Sequence, residues 1–508
     1  MLLASLIVGA LVIGIAWATR NTKEDALSQY TNHYLAKFAS LSDVFGIGKI
    51  IAIVRAVKDG SILYYMDRFW TMYGDTYTMK FMGTKVTFTR DASNMKHIFT
   101  TGWLDYHVAK GIRDNILQHL APGTIAVTEG EKWEVSRKRW RQSFLHLEQL
   151  FDMPFFEESS EKLARRIPRG EAVDMQELFF CLTADLTSNF TVGRSLHCLD
   201  PENQSSEDRE FMAALARANP VTAMRGILGP LSRLNPEFGY KADCNIVTSH
   251  IRRLIRERLS ENQRQESNQK NPDTRQQTFL DRLVIHYDDP LRLNHDATVM
   301  MMSNEELSRP LSHSLFLLSR HPAVYTKLRQ TILDQIGYEK PTYEDLGKFT
   351  YLKCVIHETL RLLPPIPLSM RIANKNTWLP KGGGKDGDDP LLIPKGQRVV
   401  LSIFGSHHSP SHFGQDASEF RPERWNDLRI DTPGYSPFLL GSRSCLGRQL
   451  VFSSITYPLV RLVQMYSRVE SRDDADFAAH IEMSLSNMNG VWVEMFPDLH
   501  AQNTDDLR

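Results

Sequence analysis

The chain lacks the means for a covalent framework. Its 508 residues include five cysteines, at 181, 198, 244, 354 and 445, scattered, odd in number and without a C-x-x-C pair. That argues against a disulfide scaffold or a cysteine-paired metal site and fits a reducing compartment. Neither sign of charge is in surplus. Lys+Arg and Asp+Glu both number 60, so charge gives no reason to expect a nucleic-acid partner. No glycine-rich dinucleotide motif stands between a strand and a helix, which puts any nicotinamide or flavin site on another chain. Nothing repeats at a fixed period. What remains, 42% hydrophobic and 24% charged residues, is the composition of a globular protein with a large core.

The chain opens on an apolar run. Residues 1–19 carry no charge, close to the ~20 residues that cross a bilayer as a helix. Arg20 and Lys23 follow the run, whereas a cleaved signal peptide has its basic residues first and a shorter apolar core. This order predicts an uncleaved transmembrane helix with the rest of the protein on the cytosolic side. The sequons at Asn189 and Asn203 would then never be glycosylated. Residues 24–65 read as a membrane-proximal segment and 66–498 as the main domain. Residues 76–90 alternate like strands about a turn at Gly83. Residues 256–277 are polar enough to predict a solvated loop between helices, and 382–390 a flexible loop between short strands. Elsewhere helical patterns dominate, so the expected fold class is mainly α with a small β part.

One decapeptide, FLLGSRSCLG at 438–447, is the most informative stretch. Cys445 alone reads as a buried structural thiol. Its companions change that reading. Gly441 and Gly447 permit tight turns and close approach where a Cβ would collide. Arg443 can pair with a haem carboxylate, and Phe438 can shield the sulfur from water. Together they suit an iron porphyrin held by one thiolate, whose electron donation favours O–O cleavage.

Other pairs gain meaning beside it. Trp133 and Arg137 lie one helical turn apart, and both can donate to a propionate; a core tryptophan with an arginine at its rim is the plainer alternative. Arg371 and His407 are further candidate donors. A near capping box at Thr342–Asp345 predicts a helix running on to Pro364. On it Glu358 and Arg361 share a face. Taken alone this is a surface ion pair contributing a few tenths of a kcal/mol. Arg424, in the motif FRPERW at 420–425, can complete a triad with them and fix the cysteine loop against the helix.

In this order, W-x-x-x-R, E-x-x-R, P-E-R-W and F-x-x-G-x-R-x-C-x-G, the sequence resembles the cytochrome P-450 superfamily of haem-thiolate monooxygenases over nearly its whole length. Its local wording is similar to the membrane-bound fungal group of alkane and fatty-acid hydroxylases. The resemblance implies the cytochrome P-450 fold, haem b as cofactor, Cys445 as the iron ligand, and an NADPH-cytochrome P-450 reductase as electron donor. It also implies an apolar small-molecule substrate, contact with membrane lipid, and a single-pass protein of the endoplasmic reticulum.

The pattern breaks on the distal helix, where the family carries Ala-Gly-x-Asp/Glu-Thr-Thr. An ungapped count back from 318–322 aligns Met302 and Ser303 with the small pair, Glu305 with the acid and Glu306 with the hydroxyl residue. Pro310 is expected to weaken or kink this helix. Glu306 either replaces the hydroxyl in proton delivery, which needs a protonated carboxyl, or points away. The altered helix favours a tailoring oxidation in secondary metabolism. Alkane or fatty-acid hydroxylation, reductase-independent isomerisation or dehydration, and non-catalytic ligand binding are the alternatives. The stretches 224–228 and 484–489 are candidate pocket linings.

Overall fold

Fifteen of the seventeen residues from Asn304 to Arg320 are buried: Leu307, Leu311, Leu315 and Leu318 recur at helical spacing, and serines fill the turns between. In the computed structural model this stretch is the central helix. The structure describes residues 37–38, 47–81, 84–108, 113–228, 238–267, 276–287 and 289–500. The expected transmembrane segment at 1–19 lies outside them. Among the described residues no helix is long and apolar enough to cross a membrane.

The longer helices are α1 (Ile47–Lys58), α2 (Ile62–Tyr73), α3 (Gly130–Ser143), α4 (Met153–Arg166), α5 (Met175–Val192) and α6 (Ser206–Leu228). They continue with α7 (Tyr240–Ser267), α8 (Pro290–Met302), α9 (Asn304–Arg320), α10 (Pro322–Ile336), α11 (Thr350–Leu362) and α12 (Arg448–Met465). Helix α9 packs along α5 and α11, and its leucines join the main core with Phe179, Leu182, Val355 and Ile356. Each such fully buried side chain contributes roughly 1.5–3 kcal/mol. All of Asn304–Ser319 is buried except Glu306.

The β part is small, as expected. A six-stranded sheet runs in the order β1 (Lys37–Phe38), β2 (Thr76–Phe81), β3 (Thr84–Thr89), β9 (Arg398–Ser402), β6 (Leu368–Ala373), β4 (Tyr106–His107). β2 and β3 form the hairpin read from 76–90. β5 (Val173–Asp174), β10 (Tyr466–Ser471) and β13 (Trp492–Pro497) make a second sheet. Two hairpins complete the set: β7 (Thr377–Gly383) with β8 (Asp389–Ile393), and β11 (Ala479–Ile481) with β12 (Leu485–Asn487).

Two local expectations are corrected. The polar stretch 256–277 is not a loop at its start, because α7 continues to Ser267. Its Arg, Glu and Gln side chains are good helix formers, and Arg258 and Asn262 both reach Asp281. The capping box at Thr342–Asp345 closes only a short 3-10 turn, Asp345–Gly347, and α11 starts at Thr350. Pro310 lies inside the distal helix, as the sequence placed it. The break falls at Ser303, whose Oγ donates to Met300 O at 2.6 Å between α8 and α9.

Candidate active site

The cysteine loop is closed by its own backbone. Cys445 N–H donates to Phe438 O at 2.9 Å and Ser444 N–H to Gly441 O at 3.1 Å, just before α12. Closing it requires Leu439 and Gly441 at φ 58° and 68°. A Cβ on Gly441 would stand 2.0 Å from Phe99 O, so this glycine lets the loop lie against the His97–Thr101 turn. Gly447 has no such need: its Cβ would meet Cys445 Sγ at an ordinary 3.8 Å. The collision expected there does not exist within the protein. Phe438 stacks towards Phe452 of α12 at 5.8 Å.

Cys445 is exposed, yet burial is what chiefly raises its thiol pKa; the Gly447 N–H lowers it, the Glu306 carboxylate raises it and Arg137 lowers it. Glu306 behaves alike. It is half-buried, its Oε2 has no hydrogen-bond partner, and burial, then the neighbouring Glu305, push its pKa up to about 7. The two groups are near enough for their charges to interact.

The surroundings of the Cys445 loop are cationic. Arg443 Nη2 donates to Glu129 Oε2 at 2.6 Å and to Thr128 O at 3.1 Å, and its guanidinium lies 4.2 Å from the Trp133 ring. Arg137 Nη1 donates to Ser444 O at 2.8 Å, holding α3 to the cysteine loop. Arg371, buried on β6, bonds only to Ser369 Oγ and Met370 O among the described residues. Arg113 donates to Ala126 O. Burial, then Arg113 and Arg443, lower the Arg371 pKa to about 9 against the opposing pull of Glu129. Burial likewise brings Arg443 to about 10. Three guanidiniums, those of Arg113, Arg371 and Arg443, thus share the one Glu129 carboxylate. That is an incomplete arrangement, since buried charges need partners.

Of the residues expected at the site, Trp133, Arg137, Arg371 and Arg443 come together. His407 does not join them. Its Nδ1–H donates to Arg361 O at 3.1 Å and its Nε2 accepts from Ser436 N–H at 2.9 Å, so neither nitrogen is left for a propionate. Sequence reasoning missed Arg113 and Glu129. Glu129, four residues before Trp133 at the mouth of α3, was open to detection by helical spacing; Arg113 gave no signal.

Glu305 sits apart from Glu306. Asn219 Nδ2 of α6 donates to its Oε1, Ser484 Oγ reaches its Oε2 at 3.4 Å, and Arg309 stands 4.0 Å away. Burial raises its pKa against the pull of Arg309.

Glu358 is the hub expected, with more spokes. Arg361 Nε and Nη2 donate to its two oxygens at 2.8 Å, Arg424 Nε reaches Oε1 at 3.4 Å, Arg421 N–H donates to Oε1 at 3.1 Å and Trp425 Nε1 to Oε2 at 3.0 Å. Arg361 Nη1 also donates to His407 O and Ala417 O. One buried carboxylate therefore orders 407–425 against α11.

These residues fit a haem. Cys445 is a free, exposed thiol, the guanidiniums beside it outnumber their one carboxylate and would suit two propionates, and the unpartnered Glu306 carboxyl lies near enough to act on the thiol. Comparison with known proteins agrees. A family model described as Cytochrome P450 matches residues 47–484. Cytochrome P450 52A13 of Debaryomyces hansenii is 30% identical over 89% of this chain and 89% of its own. Cytochrome P450 52A3-A of Candida maltosa is 32% identical, again over 89% of each chain. Cytochrome P450 monooxygenase himC of Aspergillus japonicus is 30% identical over 96% of this chain and 88% of its own.

Proposed function

The chain belongs to the cytochrome P450 family of haem-dependent monooxygenases, and from that premise we propose that Cys445 is the thiolate ligand of a haem b on which an apolar small molecule is oxidised. When bound, thiolate-ligated haem supplies O–O cleavage and oxygen transfer to carbon. One oxygen atom of O2 enters the substrate and the other leaves as water, which takes up two electrons and two protons.

The chain's own residues supply the rest. Arg113, Arg137, Arg371 and Arg443, with Trp133, would hold the two propionates, whose charges complete the set that Glu129 leaves short. Phe438, with Gly441 and Gly447, shapes the loop that presents the sulfur. Glu306 holds a proton at its carboxyl near neutral pH and stands near Cys445, suited to hand that proton inward in place of a hydroxyl. Glu305 orients the segment that carries it.

The observation that carries this reading is the cluster of Arg113, Arg137, Arg371 and Arg443 beside the Cys445 loop with too few carboxylates to neutralise it. The altered distal helix, with Glu306 where the family has a hydroxyl residue, makes us favour a tailoring oxidation in secondary metabolism over plain alkane or fatty-acid hydroxylation. The apolar run at 1–19 supports an anchor in the endoplasmic reticulum membrane, with an NADPH-cytochrome P-450 reductase as donor from the cytosolic side. The test is direct. Reduced protein under CO must give the red-shifted Soret band of thiolate ligation, and Cys445→His must lose it. Reconstitution with reductase and NADPH must yield an oxygenated product. Absence of the band in the wild-type protein overturns the reading.

A further inference from the structure

The first turns of α9 carry more polar atoms than an apolar guest needs. Glu305, Arg309, Asn219 and Ser484 are all buried, brought together from α9, α6 and the turn before β12. Asn219 and Ser484 both donate to Glu305, and Arg309 Nε donates to Ser484 Oγ at 3.2 Å. These bonds do not satisfy the set. A guanidinium has five N–H donors, and among the described residues Arg309 uses only Nε in a hydrogen bond, its Nη2 standing 4.0 Å from Glu305 Oε2. Asn219 Oδ1 is buried with no donor. Unmade bonds at buried polar atoms are costly and call for a missing partner.

The chemistry of that partner follows from charge. Glu482 acts on Glu305 and Glu305 on Glu306, so that among the described residues acidic groups outnumber Arg309, the cation that both Glu305 and Glu306 feel. A carboxylate guest would add a further negative charge. An uncharged group with an acceptor oxygen and an adjacent O–H or N–H matches instead: the oxygen accepts from Arg309, and the hydrogen goes to Asn219 Oδ1. Resting on the haem-thiolate reading, we infer that Asn219, Glu305, Arg309 and Ser484 form a substrate subsite for a neutral alcohol or carboxamide. The substrate is then an apolar molecule that already bears such a group, and the subsite grips that end while the remainder extends past Glu306 towards Cys445.

The test uses four probes of equal length, decane, 1-decanol, decanamide and decanoate, titrated calorimetrically into full-length holoprotein in detergent. Decanol and decanamide should bind about tenfold tighter than decane or decanoate, the effect of one or two net hydrogen bonds. In Asn219→Leu and in Arg309→Met the decanol-to-decane ratio should fall close to one. Equal binding of decane and decanol, tightest binding of decanoate, or an unchanged ratio in Asn219→Leu overturns the inference. If either variant does not fold, the wild-type probe series decides alone. The CO spectrum of the same preparation separates the two claims: no thiolate band sinks the haem reading, whereas a normal band with equal binding sinks only the subsite.

Discussion

The Arg443 guanidinium stands 4.2 Å from the centre of the Trp133 ring and donates to Glu129 at 2.6 Å, so the arginine two residues before Cys445 is held by α3 and by the residue preceding that helix. The contact orients the guanidinium before any cofactor arrives. Arg443→Met should therefore lower haem retention. A hydrogen bond to a charged group contributes about 1.5–3 kcal/mol, so haem affinity should fall at least about tenfold. The haem-to-protein ratio after gel filtration measures it, and Trp133→Phe, which keeps an aromatic face, should lose less.

Glu306 gives a pH prediction of defined sign. Its folded pKa, about 7, exceeds its ordinary 4.5. Its carboxyl thus takes up a proton on folding between these values. The associated stability is full below pH 4.5 and is lost as pH rises through about 7. Product formed per NADPH should decline over the same rise. Glu306→Gln should flatten both profiles and raise the thermal midpoint relative to wild type at pH 8. A pH-independent coupling ratio in the wild type would remove Glu306 from proton delivery.

Glu358→Gln should be severe, because it strands Arg361, which is fully buried. Breaking one side of a buried pair costs about 3–5 kcal/mol. Denaturant unfolding of the variant should show that loss even before haem content is considered.

The two loop glycines should part company. Gly441→Ala drives a Cβ into the Phe99 carbonyl at a left-handed φ, and should destabilise the protein and deplete haem together. Gly447→Ala meets only an ordinary contact within the chain. Apoprotein stability should be unchanged, so any loss of haem content reports on cofactor approach alone.

Legibility in the sequence followed the range of the interaction. The cysteine loop and the Glu358 hub were readable because short spacings set them, and the β2–β3 hairpin because alternation marks it. The start of the polar stretch after 256 looked like a loop because a solvent-facing helix shows little apolar periodicity. The true start of α11 was hidden behind a genuine capping box that serves one short turn. Pro310 drew attention from Ser303, where a hydroxyl bonded to Met300 O rather than a missing N–H accompanies the break. Arg113 entered the site only through tertiary packing, which no local pattern encodes.

Five donor groups from one helix and a distant loop converge on the Glu358 carboxylate, whereas Asn219, Arg309 and Ser484 are held by single contacts, Arg309 to Ser484 and the other two to Glu305. The molecule is therefore divided into a frozen half and an adjustable half. Laboratory evolution of substrate scope should leave 358–425 untouched and randomise 219, 309 and 484, where exchanges retune the guest without dismantling the scaffold.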